Sequence, residues 1–299
     1  MDSAPTFAPG VFPEMPFETY LAIQAFSAST AMTLLRTFPA RLKDPQPPRK
    51  PLEDGRIAHK LVLEGVNDLE DSERYIVTPK GFSMSHTTKH ADLIAHIEAT
   101  GAQPISQERA DMINGMFAAL KRDKVVMQAL SNGRPEVSAF WIDEEFGIPC
   151  KARFDWLPNT GRLLPDYKTA ASIDDDELAR SVKNYGMAHR SAHYQDAARA
   201  IGHGKDHPEG PLYLPIWQEK TAPYWISMRP VDSMDVHLVR PEIAKAKAIY
   251  QHCLEYDHWP GPTHFREIAL PGWERKRLEF EYQIERESIL SKPMNEAFS

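Results

Sequence analysis

The chain has 299 residues, 42% of them hydrophobic and 26% charged, with a formal net charge of −7 and a pI near 6.0. That composition is globular and allows one elaborated domain or two small ones, while its acidity excludes a general nucleic-acid coat but leaves room for a local basic channel. The two cysteines, Cys150 and Cys253, lie far apart in no CxxC pattern, which excludes a disulfide framework, a cysteine-rich zinc site or a four-cysteine iron–sulfur cluster and fits a reducing, cytosolic setting.

No apolar run approaches the ~18 residues of a membrane helix, and "MDSAPTFAPG" lacks the basic region of a signal peptide. Residues 1–27, rich in proline and aromatics without a period, predict an arm or loop. "SASTAMTLLRTFPARLKD" opens with Ser/Thr caps and carries Met32, Leu34, Leu35 and Phe38, predicting a helix. The prolines of "DPQPPRKPLEDG" impose a loop, and "EDGRIAHKLVLEG" predicts a helix that stops at Gly65. Residues 66–87 read as irregular surface, and 88 to about 130 as two or three helices, one of them with Ser106 and Arg109 at the spacing of a capping box but without its Glu.

"EVSAFWI", "GIPCKARFDWL" and "GRLLPDYKTA" then alternate as three strands. "DDDELARSVKNYG" and "AHRSAHYQDAARAIG" are helical, the first with acids at its start. "PLYLPIWQEK" and "APYWISMRP" read as a strand pair, and "SMDVHLVRPEIAKAKAIYQHCLEY" as one long helix. Residues 258–299 are polar, with a helix near "ERKRLEFEYQIERE". This order predicts an α/β or α+β fold with a mixed sheet.

The chemistry concentrates in "KARFDWLPNTGRLLPDYKTA", residues 151–170. If Pro158–Gly161 makes a tight turn, Arg153 lies opposite Asp166 and Asp155 lies diagonal to it. Alternation then puts 151, 153, 155, 164, 166 and 168 on one face and Ala152, Phe154, Trp156, Leu163 and Tyr167 on an apolar one. Pro165 could add a bulge that re-aims Asp166. Two carboxylates within ~4–6 Å resist joint ionisation; a divalent cation with oxygen ligands resolves that conflict. Lys168, on the same side, could orient a water or stabilise charge on a phosphate. The constellation suits phosphodiester hydrolysis, and a solvated ion-pair face on an ordinary hairpin stays open beside it.

Pro165-Asp166-Tyr167-Lys168, with Asp155 as upstream acid, resembles the PD-(D/E)xK nuclease signature. Around it "STAMTLLRTFPARLKD", "GRIAHKLVLEG", "EVSAFW", "NYGMAHRSAHYQDA" and "PIWQEKTAPY" stand in the order in which exodeoxyribonuclease VIII-type exonucleases of phages and prophages carry similar segments, over about residues 28–250. The resemblance implies a restriction-endonuclease-like core, its mixed central sheet flanked by helices, with an N-terminal helical elaboration. It implies an N-terminal arm at 1–27, a single nuclease domain at 28–257 and a C-terminal extension at 258–299.

It further implies one or two Mg²⁺ or Mn²⁺ ions held by His59, Asp155, Asp166 and the Tyr167 carbonyl, with Lys168 positioning the attacking water and Tyr194 in the catalytic set. Arg190 stands where relatives carry the glutamine of a Gln-x-x-x-Tyr pair, and Gln195 falls one step past Tyr194, about 100° around a helix. Arg36, Arg56 and Arg190 are candidate DNA contacts; Arg41 and Lys43 join them either as a basic rim or as a solvated helix face, and Glu136 is either a surface acid or a neighbour of the metal. The implied activity is digestion of duplex DNA ends, 5′ to 3′, for recombination or repair in the cytoplasm of a bacterial host, by a homo-oligomeric ring that could work with a single-strand annealing protein. Two other readings are a DNA-end-binding or partner-binding module that keeps the fold without cleavage, and a structure-selective endonuclease. No GxxxxGK[ST] loop is present, so no ATP motor is built in.

Overall fold

The structure, a computed structural model, describes residues 7–44, 75–85, 88–262 and 269–290, the side chains of 282–290 excepted. The chain forms two compact units, Met1–Gly261 and Pro262–Ser299. The first is a mixed α+β core. Strand β1 (Gly10–Phe12) is followed by helices α1 (Phe17–Ala22) and α2 (Ala28–Arg36), strand β2 (Tyr75–Thr78), helix α3 (Ala91–Thr100), strand β3 (Gln103–Ser106) and helices α4 (Gln107–Arg122) and α5 (Lys124–Ala129). Strands β4 (Gly133–Ile142), β5 (Pro149–Pro158) and β6 (Leu163–Ala170) come next, then helices α6 (Asp175–Asn184) and α7 (Met187–Ala200). Strands β7 (Leu212–Glu219) and β8 (Ile226–Met228) and helices α8 (Ser233–Leu238) and α9 (Arg240–Glu255) complete the unit.

The long apolar strands build two three-stranded sheets. β4 pairs antiparallel with β5, from Gly133 opposite Pro158 to Ile142 opposite Pro149, and β1 covers its other edge. β7 runs parallel to β6, with Asp166 opposite Pro215, and antiparallel to β8. A parallel pair needs a long crossover, and α6 and α7 supply it. α7 lies against β5 and β7, and its small buried residues Ala192, Ala197 and Ala198 let the helix approach the strands closely. The main core joins Phe26, Phe154, Leu164, Tyr213, Trp217 and Tyr250; a second cluster joins Met116, Leu120, Tyr167 and Ile216. Phe154 is 1% exposed, and truncating such a ring to alanine costs ~3–5 kcal/mol.

Among the described residues the predicted elements hold apart from the differences that follow, to which β3 adds one, a strand within the stretch expected to be helical; the helix expected at 53–65 lies outside those residues. The N-terminal stretch is not a loop: β1 adds to the sheet, and Tyr20 and Ile23 of the α1 region bury against Phe140. The buried Lys151 ammonium donates to the carbonyls of Tyr20, Leu21 and Ile23, tying down the end of α1. The stretch read as irregular holds β2, parallel to β3; strands of four residues are too short for alternation to register. The α2 helix, capped by the Ser27 hydroxyl accepting from the Thr30 amide, stops at Arg36, and Pro39 begins a separate 3₁₀ turn, Pro39–Leu42. Finally, the long helix expected at 233–256 is two, α8 and α9, parted at Val239; Pro241 lacks an N–H and is tolerated only within the first turn of a new helix.

The second unit contains helix α10 (Gly272–Leu290), where Arg277 pairs with Glu274 and Glu281 one turn to either side. Among the described residues no helix is long and apolar enough to cross a membrane.

Candidate active site

β5 and β6 lie side by side but do not form the tight hairpin that the alternation suggests. β6 takes β7 as its ladder partner, and the Asn159 amide is bonded to the Asn132 carbonyl rather than closing a turn on itself. The amide of Tyr167, which a hairpin would pair with a β5 carbonyl, donates instead to the Asp155 carboxylate at 3.0 Å. That substitution of a side chain for a ladder bond places Asp155 beside β6 at the level of Asp166 and Lys168. β6 is also covered on both sides: Leu164 sits in the main core and Tyr167 in the second. A strand within a parallel pair commonly lacks a solvent face, so a single apolar side was too simple an expectation.

The charges separate into two groups. Lys151 serves the carbonyls described above. Arg153 donates to Glu136 at 2.5 Å, to the Ser138 hydroxyl at 2.7 Å and to the Met15 carbonyl at 2.9 Å. Asp155, Asp166 and Lys168 are left to converge. The Lys168 ammonium forms an ion pair with Asp166, lies 3.4 Å from Asp155 Oδ2 and donates to the Tyr167 carbonyl at 3.1 Å. The side chains are graded in exposure, from 2% at Asp166 through 14% at Asp155 to 25% at Lys168, so the site opens to solvent on the lysine side.

Burial raises the Asp166 pKa above the usual carboxylate range, and the Asp155 charge adds to it; Lys168 and Arg190 pull the other way. The Oδ1 atom of Asp166 is buried without a hydrogen-bond partner, and the Tyr213 hydroxyl faces this carboxyl without reaching hydrogen-bond geometry. Buried acceptors in native proteins are almost always satisfied. An ion with oxygen ligands would satisfy this one. Asp155, Asp166 and the Tyr167 carbonyl form the hard, all-oxygen donor set that suits Mg²⁺ or Mn²⁺. Among the described residues no group of three or more His, Cys, Asp or Glu side chains forms a fuller cage.

Helix α7 brings up the second wall. Gly186 begins it at φ 62°, a left-handed conformation, and a Cβ there would meet the Met32 sulfur at 2.6 Å. Residues 190, 193 and 194 share one helix face. His193 Nε2 bonds the Lys151 carbonyl at 2.9 Å and the Tyr194 hydroxyl donates to the Arg153 carbonyl at 2.8 Å, which docks the helix on β5. Arg190, one turn earlier, holds its guanidinium carbon 6.0 Å from the centre of the Tyr194 ring. Its Nε is buried and has no hydrogen-bond partner. Gln195 points elsewhere, to Arg240. Thus Arg190 and Tyr194 are brought to the acidic pair.

The other sequence candidates lie as follows. Arg36 donates to the carbonyls of Asn184 and Lys183 at the end of α6. Arg41 stands over the Phe38 ring and Lys43 over the Trp259 ring. Glu136 adopts φ 55° within β4, and its neighbours Pro135 and Val137 pair with Trp156 and Phe154, so it sits across from Asp155. His59 and Arg56 lie outside the described residues. Sequence reasoning missed Tyr213, an apolar strand position with no signal that its hydroxyl faces a carboxyl.

Residues 25–264 match the model of a family described as a PDDEXK-like domain of unknown function (DUF3799). No curated protein matches the chain. Among solved structures, one described as "Putative exonuclease" from Eubacterium rectale is 18% identical, with a TM-score of 0.51, over 83% of this chain and 90% of that one. At that identity the likeness is one of fold. A second, SSO0001, is 15% identical over 64% of this chain and 86% of that one, with a TM-score of 0.25.

Proposed function

As a member of that PDDEXK-like family, this chain has the restriction-endonuclease-like core of the PD-(D/E)xK nuclease superfamily, and we propose that it is a metal-dependent exonuclease acting on the ends of duplex DNA, 5′ to 3′. The observation that carries the reading is the meeting of Asp155, Asp166 and Lys168 in one partly open site, with a buried Asp166 oxygen left without a partner. The neighbour described as an exonuclease is in keeping with it.

Asp155, Asp166 and the Tyr167 carbonyl would hold Mg²⁺ or Mn²⁺. The bound ion would lower the pKa of a coordinated water and offset charge on the phosphate. The chain's own groups supply the rest. The Tyr167 amide fixes one Asp155 oxygen, so that carboxylate is oriented before any ligand arrives. Burial keeps Asp166 away from bulk water, so its electrostatic interactions are stronger than they would be in solvent. Lys168, the most exposed of the three, bridges the acids and the Tyr167 carbonyl. Its ammonium lies toward the open side, where with the acids engaged by a cation it would orient the attacking water and meet the scissile phosphate. The acidic chain would grip DNA locally, and a homo-oligomeric ring with a basic channel, working with a single-strand annealing protein in a bacterial cytoplasm, is the setting we propose.

The test uses linear duplexes labelled at the 5′ or the 3′ end and incubated with Mg²⁺. Rapid loss of the 5′ label as mononucleotide is expected. Equal digestion by the wild type and by Lys168→Ala would refute the assignment of the site, and end binding without release by the wild type would turn the reading toward a binding module.

A further inference from the structure

Arg190 has no counterpart in the chemistry above, and its position calls for one. Four charged groups share the site: Asp155 and Asp166 are negative, Lys168 and Arg190 positive. Their formal charges therefore sum to zero. Lys168 reaches the acids from the open side. Arg190 comes from α7, with its Nε inside the protein and unpartnered, its guanidinium beside Tyr194, and α7 clamped to β5 by the bonds of His193 and Tyr194 to the Lys151 and Arg153 carbonyls. Burial works against the guanidinium charge and the carboxylates of Asp166 and Asp155 favour it; an arginine stays cationic at any working pH. Lys168 sits on a flexible stem at the rim and can move aside. Arg190 has its Nε enclosed in the protein and is therefore less free than Lys168 to move aside when an ion arrives.

We propose that Arg190 is a positioning residue that acts as a permanent counter-charge to the Asp155–Asp166 pair and weakens the DNA-free site's affinity for a divalent ion. This rests on the reading of the acids as a metal site. A neutral glutamine at the same place would leave the two carboxylates with one mobile cation, and their field would favour a divalent ion more. With Arg190 present, the doubly charged ion loads well only when negative charge accompanies it, as a phosphodiester would.

The experiment is Mn²⁺ binding to DNA-free protein at pH 8, followed by electron paramagnetic resonance of the free ion, for the wild type, Arg190→Gln and Arg190→Lys. Arg190→Gln is expected to bind Mn²⁺ about tenfold more tightly or better, while Arg190→Lys, which keeps the charge, stays close to the wild type. Should Arg190→Gln fail to fold, Arg190→Met takes its place, since a long apolar chain fills the same surroundings. Unchanged or weaker Mn²⁺ binding in the folded neutral variant would overturn the proposal. Equal tightening in the lysine variant would also overturn it, because charge would not be the cause. If the wild type binds no Mn²⁺ and the neutral variant does, the proposal stands; if neither binds, it falls. The nuclease reading is decided separately, by cleavage of DNA by the wild type.

Discussion

Acidification should destabilise this protein through His193, and the size of the effect follows from its surroundings. The imidazole is 1% exposed and lies among the rings of Phe26, Trp141 and Tyr194. Its Nε2 meets a carbonyl, so it must be the protonated nitrogen of the neutral ring; Nδ1 is buried with no acceptor for a second proton. Burial lowers the pKa to about 4 from an ordinary 6.5. The unfolded chain therefore binds more protons than the native one between those values, and stability falls as pH drops from 6.5 to 4. At 1.36 kcal/mol per unit the full window is worth about 3 kcal/mol, or roughly 6–12 °C in melting temperature for a unit of this size. His193 docks α7 on the strand that carries Asp155, so the same loss weakens the packing behind the site. Thermal melts at half-unit steps from pH 7 to 4, for the wild type and His193→Gln, isolate the term, since glutamine can still donate to the Lys151 carbonyl but does not titrate. Parallel pH curves for the two proteins would refute the argument.

Three further outcomes are expected. Lys168→Ala should lower DNA cleavage at least about a hundredfold, as removal of a group that orients the nucleophile does, with folding kept, as read by circular dichroism. Lys151→Met should destabilise the protein by about 2–4 kcal/mol in urea, because three carbonyls, two of them in buried bonds, lose a charged donor. Gly115→Ala should cost about 1–3 kcal/mol, because a Cβ there would meet the Tyr224 ring at 2.3 Å; the melting temperature reads it, and a neutral result would place the β7–β8 turn differently.

Much of the site was legible because its residues are close in sequence. Asp155, Asp166 and Lys168 lie within fourteen residues on two clearly alternating strands, and their chemistry needs nothing from elsewhere to be suspected. What alternation could not give is the pairing: β6 turns to β7, a partner more than forty residues away, and Tyr167 bonds an aspartate side chain. The role of Arg153 was invisible for the same reason, since Glu136, Ser138 and the Met15 carbonyl reach it only in the folded chain. Arg190 was conspicuous only as a departure from a resemblance; its neighbours Asp166 and Tyr213 belong to two strands on either side of the helix in sequence. The N-terminal strand and helix escaped because they have only three and six residues, too few for a period to register, and Val239 parted a helix whose apolar spacing runs on through the break.

The central claim is that Asp155 and Asp166 hold a divalent ion that cuts DNA. Acid-soluble nucleotide released from a uniformly labelled linear duplex measures it, with Mg²⁺ or with a chelator, for the wild type and Asp166→Asn. Release that requires both Mg²⁺ and Asp166 is the predicted result. Release that survives the chelator, or that Asp166→Asn leaves intact, would contradict the account.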